Sequence, residues 1–465
     1  MSILSLAWRN LLRNRRRSLM TLMAMVLGIV AVLLFGGYVR DINYGMQSDY
    51  VRSSGHLQIQ REGYFRLGTG NPAEFGIVNY ERVIAAIKQD PVIAPLLTVV
   101  TPTLQFGAIA GNFSASVSRT VFVSGVVVED QNRMRVWNDY QQLILSPLLP
   151  LSGTTADTAV IGTGVARVLQ LCDKLALQNC ESAPAKAEST GPELAADISA
   201  LVMQDRPQAS ASPDAGSPRI EVLAANARGA PNVAAVRVLR AEAQALKEFD
   251  DVHVGLHLSQ AQKLMFGAGA PQVTAIMVQL QHTAQLPAAR QRLEELLNTT
   301  FKDEPLEVLD YETLNPFYGQ AMSMFAAIFS FISVLIGAIV LFTVTNTMSM
   351  AVVERTVEIG TLRAIGLRRR AIRTMFVLEG FVLGCFGAVI GICVAFGLAW
   401  FINQLVITWI SPGRVDPVPL AVRMSGEYGM LLSCAAGLII LAALSAILPA
   451  ARAARMNIVD ALRHA

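Results

Sequence analysis

The sequence predicts an α+β membrane protein: four transmembrane helices, with a large α+β extracytoplasmic domain inserted between helices 1 and 2. Three observations carry this. The 465 residues are 53% AVILMFWYC and only 16% charged, against about 25% charged in an ordinary soluble domain. Mean hydropathy is +0.44. Four apolar runs reach the roughly 20 residues needed to cross a bilayer, and the arginines flanking them agree on one topology. A disordered chain would be poor in apolar residues and rich in charge. A chain wholly within the bilayer would leave 38 Lys+Arg and 35 Asp+Glu too little water to face. The net charge of +3 provides no global basic field and excludes a nucleic-acid partner.

Residues 1–18 read as a cytoplasmic amphipathic helix, SLAWRNLLRNRRRS, with Trp8, Arg9 and Arg13 placing it flat on the membrane lipids. The apolar runs are Leu19–Val39, Ala321–Thr345, Met375–Phe401 and Tyr428–Leu448, set within segments 19–39, 321–346, 375–403 and 428–449. They carry one ionisable residue, Glu379, and each such residue costs a few kcal/mol at the bilayer centre. The first run is too long for a signal-peptide core and is followed by no A-x-A-like site, so it reads as an uncleaved anchor. Arg9, Arg13 and Arg15–Arg17 precede the first run. Arg355, Arg363, Arg368–Arg370 and Arg373 lie between the second and third, and Arg452, Arg455 and Arg463 follow the fourth. The positive-inside rule then puts both termini, the 347–374 segment and the 450–465 tail in the cytoplasm. Segment 40–320 and the loop 404–427, with only Arg414 and Arg423, lie outside.

Within 40–320, strand patterns fall at HLQIQ (56–60), TVFVSGVVV (120–128) and VTAIMVQL (273–280), and helix patterns at Tyr80–Gln89 and Ala288–Asn298. VTAIMVQL, AARQRLEELLN and LEVLDYETL read as a strand–helix–strand unit. The expected division is a membrane-proximal α+β subdomain, about 40–110 and 250–320, with an inserted subdomain at about 111–249. Residues 181–233, rich in Ala, Pro, Ser, Gly and Asp, read as a flexible loop within it.

Cys385, Cys393 and Cys434 fall in spans as small apolar packing residues. Cys172 and Cys180 close the short loop CDKLALQNC outside, where disulfides persist, and are expected to be bonded; two packed thiols are the alternative. No catalytic chemistry is legible. GxxxxGK[ST], HExxH and GxSxG are absent, and His253 and His257 lie in a strand-like VHVGLHLS that does not resemble a metal site. No catalytic, cofactor-binding or metal-binding residue is therefore expected.

The informative stretch is TMSMAVVERTVEIGTLRAIGLRRRAIRT (347–374). Val353, Val357 and Leu362 with Glu354, Arg355 and Glu358 indicate a short helix ending near Gly360, held between two membrane helices. A partner pushing such a helix must move both spans. Glu354 and Glu358, one turn apart, would present an acidic pair to a basic groove. Anchoring at the membrane edge accounts for Arg368–Arg373 but not for that pair.

The order ERTVEIGTLRAIGLRRRAI, a glycine-rich span opening with LEG, and LPAARAARMNIVDALR at the end resembles permeases of the MacB/FtsX-like ABC transporter superfamily. So does the layout of one span, a large outside domain and three spans. The resemblance is specific mainly at the N-terminus and from about Asn315 onward. It implies that Glu354, Arg355, Glu358, Gly360, Leu362, Arg363, Ala364 and Gly366 form a coupling segment docking on an ABC ATPase subunit dimer. Pro449, Ala450, Ala453, Ala454, Ala461, Leu462 and Arg463 match the family's C-terminal motif.

With no fused ATPase, ATP and magnesium would sit on a partner subunit and this chain would carry no cofactor. The implied activity is export or extraction of an amphiphile, peptide or lipoprotein by mechanotransmission, LolC/LolE-like lipoprotein release being one version. The alternative is FtsX-like signalling to an outside partner such as a wall hydrolase. Gly380, Gly384, Gly387 and Gly391 suit close helix packing. The implied assembly is a second permease copy (homodimer or paired permease) in the inner membrane, with the large domain in the periplasm beside a possible periplasmic accessory protein.

Overall fold

A computed structural model describes residues 15–68, 70–142, 146–177, 180, 217–244, 246–410, 415 and 417–456. Trp8, Arg9, Arg13, Ala461, Leu462 and Arg463 lie outside the described residues. The chain divides into two compact units. One comprises residues 1–45, 317–409 and 418–465, and the other residues 46–316 and 410–417.

The helical unit is built from four helices long and apolar enough to cross a membrane, among the described residues. They are α1 (Arg15–Ser54, which passes into the other unit at Met46), α7 (Pro316–Glu354), α9 (Arg369–Gln404) and α10 (Tyr428–Arg455). Each extends beyond the apolar run that marks it, because helical hydrogen bonding continues past the last apolar turn. A short helix, α8 (Thr356–Ala364), stands between α7 and α9. The expected short helix ending near Gly360 is corrected here. The break falls at Arg355, outside the α-helical basin (φ −106°, ψ 19°), and Gly360 lies inside α8.

The other unit is a mixed α+β domain whose nine described strands join one sheet. They are β1 (Leu57–Arg61), β2 (Leu97–Asn112), β3 (Val117–Val126), β4 (Thr158–Gly162), β5 (Arg219–Ala225), β6 (Pro231–Glu242), β7 (His253–His257), β8 (Ala275–Leu280) and β9 (Leu306–Asp310). The order is β3-β7-β4-β6-β5-β2-β8-β1-β9, and β3 also pairs with β2, closing β2 to β7 into a ring. The 16-residue β2 makes this possible. It pairs with β8 over Leu97–Thr103, then with β3 over Thr103–Asn112, and Pro102, which brings no N–H donor, sits at the changeover.

The expected boundary between two subdomains at 110/111 therefore falls inside one strand of one sheet. The flexible loop placed at 181–233 is also corrected. Residues 181–216 lie outside the described residues, but RIEVLAA and the start of PNVAAVRVLRAE are paired strands β5 and β6. Their alternation of buried and half-exposed residues outweighs the Ala/Pro composition that reads as linker.

Helices α2 (Tyr80–Gln89) and α6 (Leu286–Thr300) cover one face of β8-β1-β9. Each turns a stripe inward, Tyr80/Val83/Ile87 and Ala289/Leu293/Leu297, onto Leu57, Ile59, Ile276 and Val278. β8 and β9 both run antiparallel to β1, one on each side, so the β8–α6–β9 crossover joins parallel strands. Three shorter helices, α3 (Val128–Arg135), α4 (Thr163–Val168) and α5 (Leu258–Phe266), complete the domain. Buried Asp250 fastens α4. Its carboxylate accepts from the N–H groups of Thr163 at 2.9 Å and Gly164 at 2.8 Å.

His56 is fully buried. Its Nδ1 accepts from the Leu280 N–H at 3.0 Å, and the ring meets Trp137 edge-on. Burial pushes its pKa down to about 4, only partly offset by the charge of Asp139. Burial, then the charge of Arg135, brings His253 to about 4 as well. A histidine lowered on folding contributes stability that is complete above its unfolded value and is lost as pH falls. We therefore expect denaturant unfolding of the full chain, followed by tryptophan fluorescence, to show stability falling from about pH 6.5 to 4. The His56 share is on the order of 3 kcal/mol. His56→Gln should flatten the pH slope, and an unaltered slope would remove His56 as its source.

Candidate coupling site

The 347–374 segment folds as the C-terminal end of α7, the break at Arg355, helix α8 and a tight turn into α9. Ile359 of α8 is buried in a cluster with Val352, Ile372, Met375, Phe376, Ala450, Ala453 and Ala454. Helix α8 is thus packed on the ends of α7, α9 and α10 together. The α8–α9 turn closes with a paired motif. Gly366 N–H donates to Arg363 O at 3.0 Å and Leu367 N–H to Leu362 O at 3.0 Å, with Gly366 at φ +102°. Only glycine adopts that left-handed conformation without cost, which gives Gly366 a physical reason to stand here.

The eight residues read as a docking segment separate by exposure. Glu354, Ala364 and Gly366 are exposed, Glu358, Leu362 and Arg363 are half-buried, and Arg355 and Gly360 are buried. Glu354 and Glu358 fall on opposite sides of the Arg355 break, not on one continuous helix. Arg355 turns inward: its Nη1 lies 3.4 Å from Glu379 Oε2, with the two side chains 5% and 6% exposed. This corrects the reading of Arg355 as a docking contact, since it is unavailable to a partner, and gives Glu379 a charged neighbour from outside the apolar runs. Arg363 also points back, donating from Nη1 to the Met456 carbonyl and so tying α8 to the end of α10.

Two neighbouring features carry no legible sequence signal. Pro449 sits inside α10 and has no N–H to give the Ser445 carbonyl. Thr345 Oγ1 of α7 donates to that carbonyl at 3.2 Å instead. At the other ends of these helices, the loop before α10 is fastened to α1. Arg423 lies 3.6 Å from Asp41, Arg40 is 3.3 Å from Glu427, and Tyr44 donates to Glu427 at 2.6 Å.

The four glycines of α9 sit where helices approach closely. A Cβ at Gly380 would lie 2.9 Å from Ala446 Cβ, and one at Gly384 3.1 Å from Ala442 Cβ. One at Gly387 would lie 3.1 Å from Met25 Cβ, and one at Gly391 2.1 Å from Ile29 Cγ2. Gly380 and Gly384 thus admit α10, while Gly387 and Gly391 admit α1. Cys172 and Cys180 are joined by a disulfide, with Cα atoms 5.6 Å apart. Among the described residues no group of three or more His, Cys, Asp or Glu could hold a metal.

Removing one partner of a buried ion pair costs about 3–5 kcal/mol, whereas replacing both can be neutral. Glu379→Leu should therefore lower thermal stability in detergent sharply, and Arg355→Leu/Glu379→Leu should recover most of the loss. Equal losses in single and double variants would contradict this account. Gly391→Leu should cost about 1–3 kcal/mol or more through overpacking against Ile29. Gly397→Leu, where a Cβ meets nothing within 4 Å, should leave the melting temperature nearly unchanged in the same assay.

Comparison with known proteins finds matches over part of the chain. Residues 327–458, which include α8, α9, α10 and most of α7, match the FtsX-like permease C-terminal family. The ABC transporter permease YtrF of Bacillus subtilis is 37% identical over 145 residues, 29% of this chain and 30% of that protein. The macrolide export ATP-binding/permease protein MacB of Bdellovibrio bacteriovorus is 27% identical over 206 residues, 42% of this chain and 29% of that protein. The chain thus spans less than half the length of these relatives. The periplasmic region of MacB from Actinobacillus actinomycetemcomitans overlays on 57% of this chain at 10% identity and a TM-score of 0.31, too low to bear on fold or function. Residues 327–458 are thus similar to the FtsX-like permease C-terminal family, in a chain with four helices long and apolar enough to cross a membrane among its described residues.

Proposed function

We propose that the chain is the permease subunit of an ABC transporter, coupling ATP hydrolysis on an ATPase subunit to movement of its α+β domain. The observation that carries this reading is α8, a short helix within the matched permease segment, packed at once on the ends of α7, α9 and α10. A displacement of α8 is shared by three spans, because Ile359 and the Arg355–Glu379 pair leave it no independent freedom. Of the eight residues, Glu354, Ala364 and Gly366 are exposed and Glu358 is half-buried, and these four are the docking contacts for the ATPase.

Arg368–Arg370, Arg452 and Arg455 support an orientation with this end in the cytoplasm and the α+β domain on the periplasmic side of the inner membrane; ATP with magnesium is held by the ATPase. The substrate is an amphiphile, peptide or lipoprotein handled by the outside domain without entering a wide pore. Small residues at the α9 crossings support this by closing the helices on one another. The working unit includes a second permease copy, and a periplasmic accessory protein completes the assembly.

Charge reversal tests the docking. With Glu354→Lys/Glu358→Lys, co-purification of the ABC ATPase and permease-stimulated ATP hydrolysis should fall about tenfold or more, as expected when charges at an interface become repulsive. Undiminished assembly and stimulation would remove these residues from the interface. ATP-dependent release of a lipoprotein or amphiphile from vesicles is the expected activity of the unaltered complex. ATP-dependent activation of a wall hydrolase without any release would assign it to signalling instead.

A further inference from the structure

The last turn of α1 ends inside the α+β domain, and its backbone is satisfied in an unusual way. A helix leaves its last four carbonyls without intrahelical partners. Here those are Val51, Arg52, Ser53 and Ser54, and three side-chain amides reach all four. Gln279 Nε2 donates to Val51 O at 3.2 Å, and Gln58 Nε2 to Ser54 O at 3.0 Å. Gln131 Nε2 lies 3.2 Å from Arg52 O and 3.4 Å from Ser53 O. The glutamines come from β8, β1 and α3, and are 0%, 5% and 6% exposed. Gln58 and Gln279 belong to a buried polar face of the sheet that also carries Gln60, Thr101 and Thr103.

The grip continues beyond the carbonyls. Arg52, 3% exposed, donates from Nε to Trp137 O at 2.7 Å and from Nη2 to Asn138 Oδ1 at 3.1 Å. Gly55 takes φ +80° and returns its N–H to Val51 O at 3.0 Å, and a Cβ there would lie 2.9 Å from Val278 O. His56 N–H then donates to Val278 O, entering the sheet one residue after the turn. The helix therefore passes directly into β1 with no free linker.

We propose that Gln58, Gln131 and Gln279, with Arg52, form a clamp that passes displacement of the last turn of α1 into strands β1 and β8. They are positioning residues for the coupling proposed above, and the proposal rests on that reading. For the fold alone, water at an exposed helix end would satisfy these carbonyls as well. Burying the end under three amides and a guanidinium removes that option and fixes the last turn of α1, Val51–Ser54, to the β1–β8 pair. α1 itself runs unbroken from Arg15 to Ser54.

The test uses the full chain with its ABC ATPase in lipid nanodiscs, followed by hydrogen exchange with and without ATP and vanadate. In the unaltered complex, ATP should change exchange in β1 and β8. In Gln131→Met/Gln279→Met, exchange of the Val51–Gly55 amides should speed up by about tenfold, the local opening expected from lost buried hydrogen bonds. ATP hydrolysis should persist while the ATP-dependent change in β1 and β8 disappears. Gln58→Met, which removes only one donor, serves if the double variant does not fold. An ATP-dependent change that survives these substitutions overturns the clamp and leaves the coupling reading standing. Loss of hydrolysis together with the change reduces the glutamines to fold support and also overturns it. No ATP-dependent change in the unaltered complex overturns the coupling reading and the clamp with it.

Discussion

A helix cannot end, bend or break among apolar neighbours without handing its unpaired backbone groups to a partner, and this constraint organises both units. At Pro449 the lost N–H is replaced by the Thr345 hydroxyl, which joins α10 to α7. At the end of α8 the carbonyls of Leu362 and Arg363 are taken by the turn at Gly366. At the end of α1 three buried glutamines do the work. In each case the group that satisfies the backbone also fixes how one element is attached to the next.

Close packing does the remainder. The α9 glycines let α10 and α1 approach until side chains meet backbone, so these helices have little room to slide. The buried Arg355–Glu379 pair is a different kind of fastening. It gains little net stability over apolar residues of similar size, but it penalises any arrangement that separates the two groups. A segment held that way moves with its neighbours or not at all, which is the property a coupling helix needs.

Much of this architecture was legible from composition. Four apolar runs, the arginine asymmetry and the ERTVEIGTLRAIG segment are local properties, and the helices lie where those runs fall. Patterns of period two and 3.6 located β1, β3, β8, α2 and α6. At RIEVLAA and PNVAAVRVLRAE alanine and proline content hides an alternation that shows only in the pairing of β5 with β6. The single sheet that spans the expected two subdomains is hidden for a different reason. A strand long enough to pair with β8 at one end and β3 at the other cannot be recognised from its own residues. The break at Arg355 escaped because nothing in AVVERTVEIG interrupts helical propensity.

By itself the sequence determined which segments leave water, how long they are and which stretch is both charged and short enough to be a coupling helix. Those outcomes follow from transfer free energy and periodicity, which are properties of neighbouring residues. The tertiary structure alone decided the identity of each polar partner. Arg355 and Glu379 are 24 residues apart, and Gln279 and the Val51 carbonyl 228. A polar group taken out of water accepts whatever the fold brings within hydrogen-bonding distance, and that choice is made by packing across the whole chain. Thus Arg355, legible as part of a docking surface, became an internal fastening, and three glutamines with no motif about them became the seat of α1.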